Sequence, residues 1–211
     1  MSYDKKKLCL VLTCNKPYYN ERRLKSKKTY DILKDNGFTV VFLYSDPQYK
    51  NAEFELKNGD YFLTIPIEET YYNIPTKILE AFKFFCRYNT KGILKIDDDT
   101  CIEDPAIFQE DFTEVDYAGA SVGSMLPGTR IVNKDTITIE KQILYFGGPF
   151  YWLSAKALHH IINVGFKYPW EDASIGHAIG LRPGFFSVRF LSFNDTKQVV
   201  WSNETDTNNA L

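Results

Sequence analysis

The sequence predicts an α/β fold: a single domain whose mixed, mostly parallel central sheet is flanked by helices. Three observations predict it. The first half of the chain alternates strand, helix, strand, strand, helix, strand, the order of an open α/β sheet. Its strands are short apolar runs bounded by turn residues, as expected where both faces of a sheet are covered. The last of them, Gly92 to Ile96, runs straight into Asp97-Asp98-Asp99, and open α/β sheets bind ligands beyond the carboxyl ends of their strands.

Lys7 to Thr13 (KLCLVLT) reads as the first buried strand, ending in the turn Cys14-Asn15-Lys16-Pro17. Leu24 to Asn36 reads as a helix stopped at Gly37. Phe38 to Tyr44 is the second strand, closed by Ser45-Asp46-Pro47. Gln48 to Asp60 is polar and reads as irregular; Tyr61 to Ile65 is a short strand. From Pro75 to Tyr88, Ile78, Leu79, Phe82, Phe85 and Cys86 recur at helical spacing, with Pro75 in the first turn.

The second half changes character. Asp104 to Glu110 reads as a short helix and Tyr117 to Val122 as a strand. Arg130–Val132 and Thr136–Ile139 form a hairpin across Asn133-Lys134-Asp135. Tyr145 to Leu153 is aromatic and broken by Gly147-Gly148. Ser154 caps a helix running to Asn163. Another helix follows Pro169-Trp170-Glu171-Asp172 and ends before Pro183; Phe185–Phe193 and Gln198–Trp201 read as late strands. The expected organisation is one domain over 1–201, with halves near 1–100 and 101–201 and a polar tail over 202–211.

The 211 residues, 44% of them hydrophobic and 16% aromatic, suffice for one substantial core. A formal net charge of −2 argues against a nucleic-acid partner held by phosphate neutralisation. The one basic run, Glu21-Arg22-Arg23-Leu24-Lys25-Ser26-Lys27-Lys28, is ordinarily a solvated helix face. No stretch approaches the ~20 apolar residues of a transmembrane helix, and no signal-peptide core is present, so a cytoplasmic protein is expected. Cys9, Cys14, Cys86 and Cys101 lack zinc spacing and are expected to be reduced. Two sequons, at Asn194 and Asn203, carry no weight without a secretion signal. Neither GxGxxG nor GxxxxGK[ST] occurs, which disfavours a dinucleotide fold and a P-loop.

Three adjacent acids repel one another, and burying them unpaired costs several kcal/mol. A divalent cation relieves both costs, since hard oxygen ligands suit Mg²⁺ or Mn²⁺. An exposed acidic turn, or a calcium loop without catalysis, is the other reading of the same triplet.

Four motifs in order carry a family resemblance. Glu69-Thr70-Tyr71-Tyr72-Asn73-Ile74-Pro75-Thr76-Lys77, leading to Lys95-Ile96-Asp97-Asp98-Asp99, resembles the core of the β-1,3-galactosyltransferase and fringe-like glycosyltransferases. Arg23-x-x-Ser26-Lys27-x-Thr29-Tyr30 resembles their Arg-x-x-Ile-Arg-x-Thr-Trp helix. Tyr145-Phe146-Gly147-Gly148-Pro149 resembles their aromatic-x-Gly-Gly-Gly stretch, and Glu171-Asp172-Ala173-Ser174-Ile175-Gly176 their Glu-Asp-Val-x-x-Gly. The resemblance implies a GT-A fold, a nucleotide-binding first half, an acceptor-binding second half, and transfer of a sugar from a UDP-sugar donor to a glycan hydroxyl with Mn²⁺ or Mg²⁺. The chain departs from the family in lacking an anchor and paired cysteines, and in having Pro149 where the third glycine stands. Its length and missing anchor are similar to virus-encoded glycosyltransferase domains that build capsid glycans, which implies further domains C-terminal to it.

By the same resemblance, Asp99 binds the metal directly and Asp97 binds it through water or holds the ribose, while Asp98 touches ribose or sugar. Thr13 and Asp46 lie at strand ends where that fold places the nucleoside; a turn cap is the plain alternative for Asp46. Arg23 and Lys77 fall at motif positions and are candidates for phosphate or ribose contacts, against solvated helix charges. Gly147 and Gly148 let backbone approach the donor sugar, or form a bulge. Asp172 is implied to be the base that takes the acceptor proton, which suits inverting displacement; an acid in a first helical turn also complements the helix dipole. His177 is placed for metal or diphosphate, or is a structural histidine. Trp152 and Trp170 stack on sugar or pack in the core. The alternative functions are an inactive nucleotide-sugar or carbohydrate-binding domain and a Mg²⁺-dependent Asp-x-Asp phosphatase, whose motif wants Thr or Val where Cys101 stands. A sugar-nucleotide pyrophosphorylase is disfavoured by the lack of a Gly-rich, Lys-containing N-terminal loop.

Overall fold

The computed structural model describes residues 6–103, 105–108, 111–181, 184–191 and 199–201. In chain order the elements are β1 (Lys6–Leu12), α1 (Pro17–Lys25), α2 (Lys27–Asp35), β2 (Phe38–Ser45), β3 (Glu53–Lys57), β4 (Asp60–Ile65), α3 (Ile74–Phe85), β5 (Thr90–Asp97) and β6 (Thr100–Ile102). Then come β7 (Tyr117–Gly119), β8 (Val122–Met125), β9 (Gly128–Val132), β10 (Asp135–Ile139), β11 (Ile143–Phe146), β12 (Phe150–Ser154), α4 (Ala155–Val164), α5 (Glu171–Ile179), β13 (Val188–Phe190) and β14 (Val199–Trp201).

Eight strands form one sheet in the order β13-β7-β12-β5-β1-β2-β4-β3. β5, β1, β2 and β4 run parallel, and β12 pairs antiparallel with both β5 and β7. This is the mixed, mostly parallel sheet the sequence predicts. The parallel strands carry apolar side chains on both faces because both faces are covered. Leu8, Leu10 and Ile93 pack under α3, α4 and α5. Cys9, Val11, Leu94 and Ile96 pack against α2 and the aromatic group of Phe38, Phe112 and Trp152. Strand alternation therefore puts Lys95, two residues after Ile93, on the α3–α5 face.

Three local readings change. The helix expected over Leu24–Asn36 is two helices, with a break at Ser26 (φ −83°, ψ 7°). Ser26 is buried and its hydroxyl donates to Asp98 O at 2.8 Å, a tertiary bond that competes with a continuous helix. α1 starts earlier than expected, at Pro17, whose fixed φ suits a first helical position. The polar Gln48–Asp60 stretch contains β3, hairpinned onto β4 through Asn58 (φ 54°) and Gly59 (φ 85°). Asn-Gly is a strong two-residue hairpin signal, masked here because all five β3 residues are largely exposed and the strand shows no apolar alternation beyond Phe54 and Leu56.

The β9–β10 hairpin forms where expected, across Asn133 and Lys134 in left-handed conformation. Ser154 accepts from the Ala157 N–H at 3.2 Å and caps α4. Of the Asp104–Glu110 helix a 3₁₀ turn over Pro105–Phe108 is present; Asp104 and Glu110 lie outside the described residues. β13 covers part of the strand expected over 185–193, and residues 192–198, with the Asn194 sequon, lie outside the described residues. So do Pro183, the Asn203 sequon and the 202–211 tail.

Gly92 fixes how closely β12 approaches β5. A Cβ there would lie 2.3 Å from Leu153 O and 2.5 Å from the Trp152 ring. Gly92→Ala is expected to lower stability by about 1–3 kcal/mol through overpacking, read as a lower urea midpoint at unchanged m-value.

Candidate functional site

Three parallel strands end side by side, and a buried lysine ties their ends. Lys77 of α3 is 1% exposed. Its ammonium donates to Thr13 O at 2.7 Å and to both Glu69 oxygens at 2.9 and 2.7 Å. Glu69 in turn accepts the Ser45 N–H at 3.1 Å, at the end of β2. The Thr13 hydroxyl donates to Asp98 Oδ2 at 2.6 Å, just past β5. Burial pushes the Lys77 ammonium below the usual lysine range, with Glu69 opposing that shift.

A second buried lysine joins the β5 tip to the other half of the chain. Lys95, also 1% exposed, donates to Asp97 Oδ1 and to Gly148 O, each at 2.6 Å, and approaches Glu171 Oε1 at 3.4 Å. Burial alone would lower this ammonium, but the Asp97 and Glu171 carboxylates outweigh it and hold it above the usual range. The Gly148 N–H donates to Asp172 Oδ2 at 3.1 Å. A Cβ on Gly148 would sit 2.9 Å from Glu171 Oε1 and 3.6 Å from both Asp172 Oδ2 and Lys95 Nζ, so a larger residue there would have to displace the Glu171 carboxylate. Thr100 makes a parallel tie: its hydroxyl accepts the Asp97 N–H at 3.2 Å and donates to Pro149 O at 3.0 Å.

The acids differ in surroundings. Asp98 is 3% exposed, and burial raises its carboxyl above the ordinary range. Its backbone carbonyl accepts from Ser26 and Tyr30, and its N–H donates to Leu12 O. Asp97 and Asp99 keep 28% and 24% of their side chains open. The Arg22 guanidinium of α1 pairs with Asp99 and lies 3.5 Å from Asp98 Oδ1. Asp172 accepts the Ala173 N–H at 2.7 Å, yet burial prevails and raises its carboxyl. Glu171 is raised by burial as well, with Lys95 opposing.

Beside this tip lies a cleft of about 490 Å³ lined by Asn15, Arg23, Tyr44, Asp46, Tyr49 and Phe62, among others. Asp46 faces it while also accepting the Gln48 N–H at 2.9 Å, so it caps its turn.

Several expectations change in this geometry. Lys77 donates to Thr13 and Glu69, so it positions strand ends and has no free proton for a phosphate. Arg23 donates to Tyr44 OH at 2.5 Å and lies over the Phe42 and Phe62 rings, which places it in the cleft wall rather than on the acids. His177 packs on Tyr168, and the charges acting on it are Lys167, Lys141 and Glu140, so it does not join the acid cluster. Its Nδ1 is buried without a hydrogen-bond partner among the described residues. Trp152 is fully buried with its ring N–H on Val115 O and is core, whereas Trp170 is half-buried against the small cluster that contains Tyr168 and Ile143. Gly147 donates to Ser121 O and accepts from the Phe150 N–H, a turn rather than an open approach. Lys95 and Arg22 received no site role from the sequence. Lys95 is a lysine in an otherwise apolar buried strand, and that was the available signal.

Among the described residues no group of three or more His, Cys, Asp or Glu side chains encloses a metal. The donors present fit a smaller site. Asp97 and Asp99 offer part-exposed carboxylate oxygens, and Mg²⁺ is commonly held by one or two carboxylates with phosphates and waters completing the shell.

The family model described as galactosyltransferase matches residues 44–181. No curated protein matches the chain in sequence. A putative glucose-1-phosphate thymidylyltransferase from Bacillus anthracis, in complex with sucrose, is similar in structure: 14% identity over 88% of this chain and 87% of that one, TM-score 0.52. A mutant Drosophila β1,4-galactosyltransferase 7, in complex with manganese, UDP-Gal and xylobiose, matches at 12% identity over 74% of this chain, TM-score 0.43. The match spans about half (52%) of the length of that enzyme. A glycosyltransferase involved in glycosylation of the major capsid of PBCV-1 matches at 13% identity over 87% of this chain and 81% of that one, TM-score 0.44. The fold is GT-A-like. No described helix is long and apolar enough to cross a membrane.

Lys95→Met leaves Asp97 and Glu171 without their shared cation. Removing one partner of a buried pair is expected to cost about 3 kcal/mol, read by urea unfolding. Glu171 has a raised folded-state carboxyl, so its charged form opposes folding as pH rises through that raised value. The deficit of Lys95→Met is therefore expected to shrink on acidification.

Proposed function

The chain belongs to the galactosyltransferase family, and from that premise we propose that it is a divalent-metal-dependent glycosyltransferase acting on a UDP-sugar donor and a glycan hydroxyl. The observation that carries this reading is the join at Lys95. One buried ammonium holds Asp97 at the β5 tip, and the Gly148 peptide unit beside it holds Asp172. The donor-facing acids and the acceptor-facing acid are thereby fixed to one another. Residues 1–100 form the nucleotide half and 101–201 the acceptor half.

The nucleoside enters the cleft walled by Tyr44, Asp46, Tyr49 and Arg23. Its diphosphate lies toward Asp97 and Asp99. Asp97 and Asp99 would hold a divalent cation there, which would supply Lewis-acid charge for diphosphate departure. Asp98 is bonded to Thr13 and buried, so it shapes the tip and leaves ligation to Asp97 and Asp99. Asp172 accepts the acceptor hydroxyl proton as that oxygen attacks the sugar's anomeric carbon. Burial makes its carboxylate more basic than a free aspartate, closer to what a general base needs.

A second reading, a nucleotide-sugar-binding domain without turnover, is favoured by one observation: Asp97 and Asp99 are already paired with Lys95 and Arg22. Turnover separates the two. UDP binding with Mn²⁺ but no transfer or donor hydrolysis by the wild-type chain selects the second.

Asp172→Asn is expected to leave UDP affinity unchanged by calorimetry and to cut transfer by about 10²-fold or more. In the wild type, activity needs the ionised carboxylate, so the rate falls as pH drops through the raised Asp172 value. That acid limb is expected above the ordinary aspartate range, and a limb at the ordinary range counts against Asp172 as the base.

A further inference from the structure

α1 covers the acid tip without burying a single one of its residues. Arg22, in its last turn, pairs with Asp99 and approaches Asp98, while its guanidinium lies 5.5 Å from the centres of both the Tyr18 and Tyr19 rings. Arg22 is 21% exposed, so water reaches this pair. We propose that Arg22 is an exchangeable counter-ion: it holds Asp99 and Asp98 in the donor-free protein and passes to the donor's diphosphate when a divalent cation takes Asp99. This rests on the function proposed above.

Three physical points support the exchange. A guanidinium on Asp99 weakens that carboxylate's hold on a hard dication, because the two cations repel. The planar guanidinium fork matches phosphate as well as it matches carboxylate, so the group that loses Asp99 has a ready partner in the ligand that brings the metal. The Tyr18 and Tyr19 rings travel on the same helix and can keep the guanidinium partly compensated as it leaves the acids. A permanent structural bridge would behave differently, since its removal loosens the tip for every ligand.

The two cases differ in sign. Calorimetry is run with Mn²⁺ alone, and then with UDP at saturating Mn²⁺, on wild type, Arg22→Gln and Arg22→Lys. Arg22→Gln is expected to bind Mn²⁺ alone about tenfold tighter, and UDP at saturating Mn²⁺ about tenfold weaker. Arg22→Lys is expected to recover part of the UDP affinity and to bind Mn²⁺ near the wild-type level; it keeps the test available if the glutamine variant does not fold. Mn²⁺ affinity unchanged or weakened in Arg22→Gln overturns the counter-ion role. Asp99→Asn separates the two readings. If it abolishes Mn²⁺ binding while Arg22→Gln gains none, the exchange alone fails. If Mn²⁺ binding survives it, the metal assignment of Asp99 fails as well.

Discussion

The fold depends on one buried cation, the Lys95 ammonium, being shared between β5 and the chain that returns beside it. An isolated ammonium in the sheet interior would be driven to its neutral form. Here Asp97 and Glu171 keep it charged, and Gly148 O accepts one of its protons. The consequence is positional. Asp97 belongs to the strand tip, Gly148 to the turn before β12, and Glu171 to the start of α5. Three segments far apart in sequence are held by one group that cannot leave without stranding two carboxylates.

Lys77 shows the same device used differently. It has one carboxylate partner, Glu69, and a backbone carbonyl, so burial wins and the ammonium is depressed rather than raised. Its work is to level the ends of β1 and β2, through Thr13 O and through the Glu69 that takes the Ser45 N–H. The ordered ends frame the cleft beside the acids. Both lysines act by positioning, and neither presents a proton to the space where a ligand would lie.

Much of this was legible in the sequence, and the rest was hidden for identifiable reasons. The strand alternation, the acid tip and the Gly-Gly break are local patterns, and local patterns survive reading one residue at a time. A motif position, by contrast, tells where a charge sits and not which partner takes it. Lys77 and Arg23 are therefore located by their motifs as phosphate or ribose contacts, while the partners that hold them, Glu69 and Thr13 for Lys77 and Tyr44 for Arg23, are not legible there. For Trp152 the sequence leaves sugar platform and core packing open, because its burial depends on Phe38 and Phe112, which lie far away in sequence. The α1–α2 break could not be read, since Ser26 breaks the helix through a bond to Asp98. The β3 hairpin could have been: Asn58-Gly59 stood in plain view inside a stretch dismissed as polar.

The charges at the tip carry the last step. Among the described residues, Asp97, Asp98, Asp99 and Glu171 form ion pairs with Lys95 and Arg22, Lys95 also acts on Asp172, and Lys77 adds a weaker pull on Asp98, so five acids face three cations. Burial raises Asp98, Glu171 and Asp172, and the neighbouring acids push each of them further in the same direction. A diphosphate brought there alone would meet like charge at close range. It could bind only by protonating the acids or by arriving with positive charge of its own. Protonating Asp172 would remove the base proposed for the reaction. A divalent cation on Asp97 and Asp99 avoids that loss, because it offsets the diphosphate and leaves Asp172 ionised. The proposed metal and the proposed base are thus one electrostatic requirement, and a charge change at either end of the Lys95 join should be felt at the other.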